Sequence, residues 1–328
     1  MTQRWAAIGT GTISRSVVPD FAQCQGADVV TVHSRDAAKA ESFANEFGIP
    51  DFTTDFEAIL EDERIDAIYL ATPFATHFEM ARRALEAGKH LLVEKPMAMN
   101  AAEVAALFEI AVDENLFLME AMWMKFNPAF QRLMSELRNG LIGEPRSIRA
   151  SFGIPFPDDG GSKWDVTRSG GALLDQGIYP VTLAHAIFGV PDSLNAVGAL
   201  RDDGLDVAEH FTLEYSGGRF VQAACSMAEF ADPSASVSGT RGWISIPAPF
   251  WFSTDLQVHA GSAEAMFVSP ERVHFGREGS GYVPMLREVV GAISSGVWEH
   301  PIHTAEDTLA IFRILDQIRR QLVDNPPG

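Results

Sequence analysis

The sequence predicts an α/β protein in two parts: a doubly wound parallel sheet over residues 1–120, then an α+β domain with a largely antiparallel open sheet over residues 121–328. Three observations carry this. Short apolar runs of strand length alternate with amphipathic segments of helix length through the first third of the chain. A glycine-rich turn follows the first apolar run directly. Beyond residue 121 the strand-like stretches alternate apolar and polar residues and are separated by Gly, Pro and Asp.

Composition sets the outer bounds. A chain of 328 residues with 46% hydrophobic content can bury sizeable cores in two domains. No run of about 18 apolar residues is present, and the segment from Met1 to Trp5 lacks the apolar stretch of a secretory leader, so a cytoplasmic protein is expected. Cys24 and Cys225 stand far apart, which predicts neither a disulfide framework nor a zinc cluster. The formal charge of −19, from 25 basic and 44 acidic side chains, argues against nucleic acid and anionic membranes as partners.

Strands are expected near residues 5–8, 28–33, 66–71, 90–93 and 116–120, with helices between them. Val104, Leu107, Phe108 and Ala111 recur at i, i+3, i+4, i+7 and would lay one helix onto the sheet. The first strand runs into Gly9-Thr10-Gly11-Thr12-Ile13-Ser14, a shortened form of the GxGxxG turn of Rossmann domains. Gly9 would make the tight turn. Gly11 would let the backbone approach a pyrophosphate on the helix N-terminus, where free N–H groups and the helix dipole favour anions.

The end of the second strand selects the cofactor. An acidic residue there would accept the ribose hydroxyls of NAD, whereas His33-Ser34-Arg35 offers a hydroxyl and a guanidinium suited to a 2′-phosphate, with Lys39 as a second positive charge. NADP is therefore expected. NAD is the second choice, because Asp36 would reach the ribose if the strand ran further.

Glu94-Lys95-Pro96 ends the apolar run at residues 90–93 with one of only five lysines in the chain. Proline biases the preceding residue toward extended geometry, so Lys95 should project from the carboxyl end of the strand, where open α/β sheets bind ligands.

In the second part, helices are expected at residues 127–139 and after Ser169, and strands at 209–215, 219–226, 235–246 and 256–259. A final helix over 304–322 carries Ile311, Leu315, Ile318 and Leu322 on one stripe and is expected to pack back on the first domain. Within Ser169-Gly170-Gly171-Ala172-Leu173-Leu174-Asp175-Gln176-Gly177-Ile178-Tyr179, a helix would set Asp175 and Tyr179 one turn apart. Oxidising an alcohol requires a base for the hydroxyl proton, and a phenol with a pKa near 10 is a poor one at pH 7. An ammonium at about 4 Å and an effective dielectric near 20 attracts the phenolate by roughly 4 kcal/mol, which lowers that pKa substantially.

The chain resembles the Gfo/Idh/MocA oxidoreductases, in particular their dimeric dihydrodiol and NADP-dependent D-xylose dehydrogenase branch, over nearly its whole length. The resemblance rests on Gly9-Thr10-Gly11, Ala71-Thr72-Pro73 with His77, Ala87-Gly88-Lys89-His90, Glu94-Lys95-Pro96, Glu120-Ala121-Met122-Trp123, and Gly170 to Asp175 with Gly177 and Tyr179. Thr12 and Ser14 are minor departures from the family pattern. The resemblance implies that Lys95 holds the reacting oxygen, Tyr179 is the acid/base and Asp175 orients the group. It further implies that Thr72, Pro73, His77 and Glu94 line the nicotinamide half of the cofactor site, and that the protein forms a homodimer or larger assembly.

Trp123, Phe126, Phe152, Phe156 and Trp164 would form an aromatic wall for a sugar or cyclic diol. His300 and His303 bracket Pro301 and read as a loop, not a metal site. A second reading keeps the fold and the cofactor without chemistry, as a regulatory protein. Retention of Lys95, Asp175 and Tyr179 argues for an enzyme.

Overall fold

The computed structural model describes residues 2–157 and 161–324, in two compact units. The first comprises Met1–Trp123 with Arg277–Leu309, and the second Met124–Gly276 with Ala310–Gly328.

The first unit runs β1 (Gln3–Ile8), α1 (Thr12–Phe21), β2 (Ala27–His33), α2 (Ala37–Phe47), β3 (Asp51–Thr53), α3 (Phe56–Leu60), β4 (Ala67–Leu70), α4 (His77–Glu86), β5 (His90–Val93), α5 (Ala101–Asp113) and β6 (Leu118–Glu120). The strands form one six-stranded sheet in the order β3-β2-β1-β4-β5-β6, every pair parallel. This is the doubly wound topology expected, with its order reversing between β1 and β4. Trp5, Ile8, Ile68, Leu70, Leu91 and Leu92 are fully buried, as strands covered on both faces require. The short edge strand β3 escaped the sequence reading because Asp51-Phe52-Thr53 offers no apolar run.

The second unit continues with α6 (Pro128–Arg138), β7 (Pro145–Gly153), α7 (Ile178–Phe188), β8 (Ser193–Leu200), β9 (Asp206–Tyr215), β10 (Arg219–Ser226), β11 (Ala235–Gly239), β12 (Gly242–Ile246), β13 (Asp255–Ala260), α8 (Ala263–Phe267) and β14 (Glu271–His274). Its eight-stranded sheet is ordered β14-β13-β12-β11-β7-β10-β9-β8. Only β7 and β10 pair in parallel; the other neighbours are antiparallel. The single strand expected over 235–246 is a hairpin, β11 and β12, in which Gly239 pairs with Gly242 across the two-residue turn Thr240-Arg241.

The chain then forms α9 (Val283–Ser294) and α10 (Ala305–Asp324). Residues 277–309, expected in the second domain, are compact with the first. The Asp20 carboxylate accepts N–H bonds from Ser280 and Tyr282, and Gln3 donates to the Val290 carbonyl at 2.9 Å. The last helix, expected on the first domain, is divided: its first residues, to Leu309, group with the first unit, and the rest docks on β8. From Ala310 the helix groups with the second unit, and Gln321 both accepts from Ala196 N–H (2.7 Å) and donates to the Leu194 carbonyl (3.0 Å). Its stripe of Ile311, Leu315, Ile318 and Leu322 is buried as the periodicity required.

Candidate active site

Gly9 and Gly11 are glycines for different reasons. Gly9 follows β1 at φ +110°, and a Cβ there would sit 2.3 Å from the Ala71 carbonyl oxygen beyond β4. The protein's own packing demands that residue. Gly11 has φ −73°, open to any residue, and a Cβ there would meet nothing within 4 Å. Neither backbone nor packing calls for glycine, which leaves close approach by a ligand as the reason for it. Gly11 precedes α1, whose first turn has neither a side-chain cap nor an acidic residue, so its N–H groups and positive dipole end face an anion unopposed. Thr10, Thr12 and Ile13 flank this cradle. These residues fit a pyrophosphate.

β2 ends at His33, and its carbonyl accepts the Gly9 N–H at 3.0 Å. Asp36 lies beyond the strand and is occupied as the cap of α2, accepting from Lys39 N–H at 3.2 Å. The strand end therefore presents Ser34 and Arg35, as the NADP reading requires. Arg35 is exposed and has no hydrogen-bond or ion-pair partner among the described residues. The Lys39 ammonium is 3.8 Å from Asp36, but both are largely exposed, so the pair holds Lys39 weakly.

Lys95 follows β5 on a turn fixed from below. Its N–H donates to Glu94 Oε2 (3.2 Å), and Glu94 Oε1 accepts from the Tyr69 hydroxyl (2.9 Å). Burial pushes the Glu94 carboxyl up to about 7, opposed by the Tyr69 hydrogen bond and the Lys95 charge. The Lys95 ammonium lies 5.8 Å over the Phe74 ring. Thr72 and Pro73 lead into the same turn, and Thr72 Oγ1 accepts from Thr76.

His77 is fully buried, with Nδ1 2.8 Å from the Pro96 carbonyl and Nε2 2.8 Å from the Thr72 carbonyl. Its ring ties the loop after β4 to the turn after β5 and does not line an open surface. Burial pushes its pKa down, against the two carbonyls, which favour the charged ring. Glu94 is also buried, at 4% exposure, and acts from beneath the turn.

Two supporting residues were read in the sequence, Glu120 in a motif and His303 in a loop, without this role. Glu120 Oε1 accepts from Met97 N–H (2.9 Å), and Glu120 Oε2 lies 3.1 Å from His303 Nε2, both side chains fully buried. His303 thus belongs to the support of the Lys95 turn. Its signal was a histidine in a loop, which only the tertiary fold joins to Glu120.

In the second unit, Asp175 and Tyr179 lie on one continuous helical stretch, 5% and 4% exposed. It opens as a π-turn over Leu173–Gly177 and continues as α7. Lys163 pairs with the Asp175 carboxylate and sits 5.0 Å over the Phe156 ring. Tyr179 tilts against Phe152 and Trp251, both at 5.8 Å, and these two rings stack at 3.5 Å and 7°. Lys163 and Trp251 were missed, since neither belongs to a motif.

The expected aromatic wall divides in the structure. Trp164 donates to the Phe156 carbonyl (3.2 Å), and both pack on Ala172, Leu205 and Met227. Trp123 is stacked on Tyr282 at 4.4 Å and buried to 8% exposure, while Phe126 is buried to 4%. Both rings are spent mainly on packing. Among the described residues no group of three or more His, Cys, Asp or Glu is placed to hold a metal ion, and no helix is long and apolar enough to cross a membrane.

Comparison with known proteins identifies relatives of both parts of the chain. Residues 3–122 match the family model described as oxidoreductase family, NAD-binding Rossmann fold, and residues 130–245 match the GFO/IDH/MocA C-terminal domain. The chain is 33% identical to a trans-1,2-dihydrobenzene-1,2-diol dehydrogenase of Xenopus laevis over 98% of each chain. It is 32% identical to that of Mus musculus, over 98% of this chain and 97% of the relative. A 3-ketoreductase from Actinomadura kijaniata, solved with NADP and TDP-benzene, superimposes with a TM-score of 0.87 at 28% identity over 98% of each chain.

Proposed function

This chain belongs to the GFO/IDH/MocA family of oxidoreductases, and we propose that it transfers hydride between NADP(H) and a CH–OH carbon of a sugar or cyclic diol. The observation that carries the reading is the buried Asp175 and Tyr179 on one helical stretch, in a chain that also presents Lys95 at the end of β5. A proton donor with an orienting carboxylate is what reduction of a carbonyl or oxidation of an alcohol asks of a protein. A purely regulatory cofactor-binding protein has no need of it.

When bound, the nicotinamide supplies the two-electron acceptor or donor. The chain does the rest. Gly11 and the N-terminus of α1 would hold the pyrophosphate, and Ser34 and Arg35 would take the 2′-phosphate through charge-assisted hydrogen bonds. In the oxidising direction Tyr179, as phenolate, would take the hydroxyl proton from oxygen while hydride passes from the carbon bearing that hydroxyl to the nicotinamide and the C=O bond forms. In reduction the phenol returns that proton to the oxygen. Lys95 would stabilise negative charge on the reacting oxygen, and Asp175, held by Lys163, would orient the group. Phe152 and Trp164, both half-buried, would offer apolar ring surface to the substrate, with Trp251 packed behind Phe152.

Incubation with NADP and a panel of aldoses and trans-dihydrodiols tests the reading. NADPH absorbance with at least one of them is expected; none with any, from protein that binds NADP, would favour the regulatory alternative.

We read the protein further as a cytoplasmic homodimer or larger assembly. Supporting this, Ser193, Asn195, Val197, Glu214, Phe220 and Gln222 share one exposed face of the second sheet. Light scattering should give a multiple of 35.8 kDa at micromolar concentration; the mass of one chain would refute it.

A further inference from the structure

Beneath the turn that carries Asp175 lie three polar groups that the proposed chemistry does not use. Asp206 and Glu209 on β9 and Cys225 on β10 are 5%, 0% and 1% exposed. The Cys225 thiol donates to Glu209 Oε2 at 2.7 Å, while Glu209 Oε1 is buried without a hydrogen-bond partner. Asp206 Oδ2 accepts from the N–H of Leu173, the first residue of the π-turn, at 2.7 Å. Glycines make room for these groups. A Cβ on Gly171, at φ +72°, would sit on the Asp206 carboxyl group, and one on Gly177 would be 2.8 Å from Cys225 Sγ. The glycine spacing around Asp175 thus matches the side chains below it: Gly171 is opposite Asp206, and Gly177 is opposite Cys225.

We propose that Asp206, Glu209 and Cys225 form a buried lock that positions the π-turn, and with it Asp175 and Tyr179, with one proton kept on the carboxyl pair. Asp206 caps the Leu173 N–H, and Glu209 is the neutral acid beside it. Neither forms an ion pair among the described residues, and of two carboxylates close together in a core one is driven to keep its proton, the Arg319 charge offsetting this only in part. The charged and titratable groups facing Glu209 are Asp206 on its own strand, Cys225 on β10 and Arg319 on α10, while Asp175 on the π-turn is paired with Lys163. β8 brings no titratable side chain. Burial, then the Asp206 charge, pushes the Glu209 carboxyl well above its ordinary range, in line with this assignment. Loss of the proton would set Glu209 against Asp206 and weaken the hold on Leu173. The three are positioning residues, acting through the turn.

This inference rests on the reading of Tyr179 as the acid/base, so its test carries one readout that does not depend on activity. Glu209→Gln mimics the neutral acid and cannot ionise. An acid whose folded pKa is raised costs stability progressively as pH rises from its unfolded value toward the folded one, and Gln escapes that cost. The melting temperature of Glu209→Gln minus that of wild type should therefore grow from pH 5 to pH 8, by about 2 °C or more per pH unit. A difference that stays flat, or falls, overturns the lock.

In turnover, Glu209→Gln should stay within about threefold of wild type at pH 7, since each 1.4 kcal/mol is tenfold and the cap on Leu173 is preserved. Its NADP affinity should be unchanged, and Glu209→Ala should lower kcat with little effect on that affinity. A Glu209→Gln protein that is folded but inactive at pH 7 would equally overturn the lock. Tyr179→Phe, measured alongside, reports on the reading beneath: normal turnover in that variant with a growing melting difference in Glu209→Gln would keep the lock and discard the acid/base role.

Discussion

Around Lys95 the polar groups are fixed largely by backbone atoms at the ends of neighbouring parallel strands. His77 spans the Thr72 and Pro96 carbonyls, Glu120 accepts from Met97 N–H, and Glu94 accepts from Lys95 N–H. Asp175 and Tyr179 ride instead on a turn shaped by side chains of β9 and β10, with glycines in the turn making room for them. A strand end in a doubly wound sheet is a ready place for a ligand-binding group, because the topology converges there. A helix start on a mixed, mostly antiparallel sheet has no such default, and its geometry is specified residue by residue from elements that lie far away in sequence.

The first way to break this comparison is at the chemistry itself. Tyr179→Phe keeps the ring against Phe152 and Trp251, so NADP affinity should hold while turnover falls by roughly two to four decades, the scale of losing a general acid/base. Near-normal turnover on a good substrate would remove Tyr179 from the mechanism and leave the second region with a structural part only.

Next in size is the support under Lys95. Glu94, pushed up to about 7 by burial, costs stability as pH rises from about 4.5 to 7, and the cost is constant above that. Glu94→Gln should gain on wild type by up to about 3 kcal/mol across that window and level off beyond it. Denaturant unfolding at a series of pH values measures this; a gap that does not move with pH would show that the turn is held without a titrating carboxyl.

Arg35→Ala should weaken NADP by one to two decades, about 1.5 to 3 kcal/mol, and leave NAD little changed. Equal losses for both cofactors in a binding titration would mean that Arg35 does not meet the 2′-phosphate.

The smallest effect contrasts the glycines of the two regions. Gly171→Ala, with positive φ and a carboxyl group in the way, should cost about 2 kcal/mol or more of stability. Gly11→Ala should change stability by under about 1 kcal/mol yet lower NADP affinity about tenfold or more. A Gly11→Ala protein that melts early but binds NADP normally would reverse the assignment of Gly11 to the ligand.

The difference between the regions also explains what could be read from the residues alone. The parallel sheet, the glycine turn, the end of β2 at His33 and the place of Lys95 are local consequences of apolar runs and their breakers, so each was visible in a few consecutive residues. Asp175 and Tyr179 were visible as a spacing. What fixes them was not, because Asp206, Glu209 and Cys225 meet the turn only through the register of β9 on β10, and Lys163 reaches it from the loop ahead of it. The hairpin at Thr240-Arg241 was passed over because apolar residues alternate on both sides of it, although Gly239 and Gly242 flank the turn. Trp123 and Phe126 looked like substrate surface because they stand near a motif, but the fold turns one onto Tyr282 and buries the other.

The account's central claim is that Lys95, from a strand end, and Tyr179, from the shaped turn, act as one unit in proton transfer. A double-mutant cycle on kcat with Lys95→Met and Tyr179→Phe tests it most directly. Each single change should lower turnover by roughly two to four decades, and the double variant should be no more than about threefold worse than the poorer single one. Losses that multiply in the double variant would contradict the claim and make the two residues independent contributors.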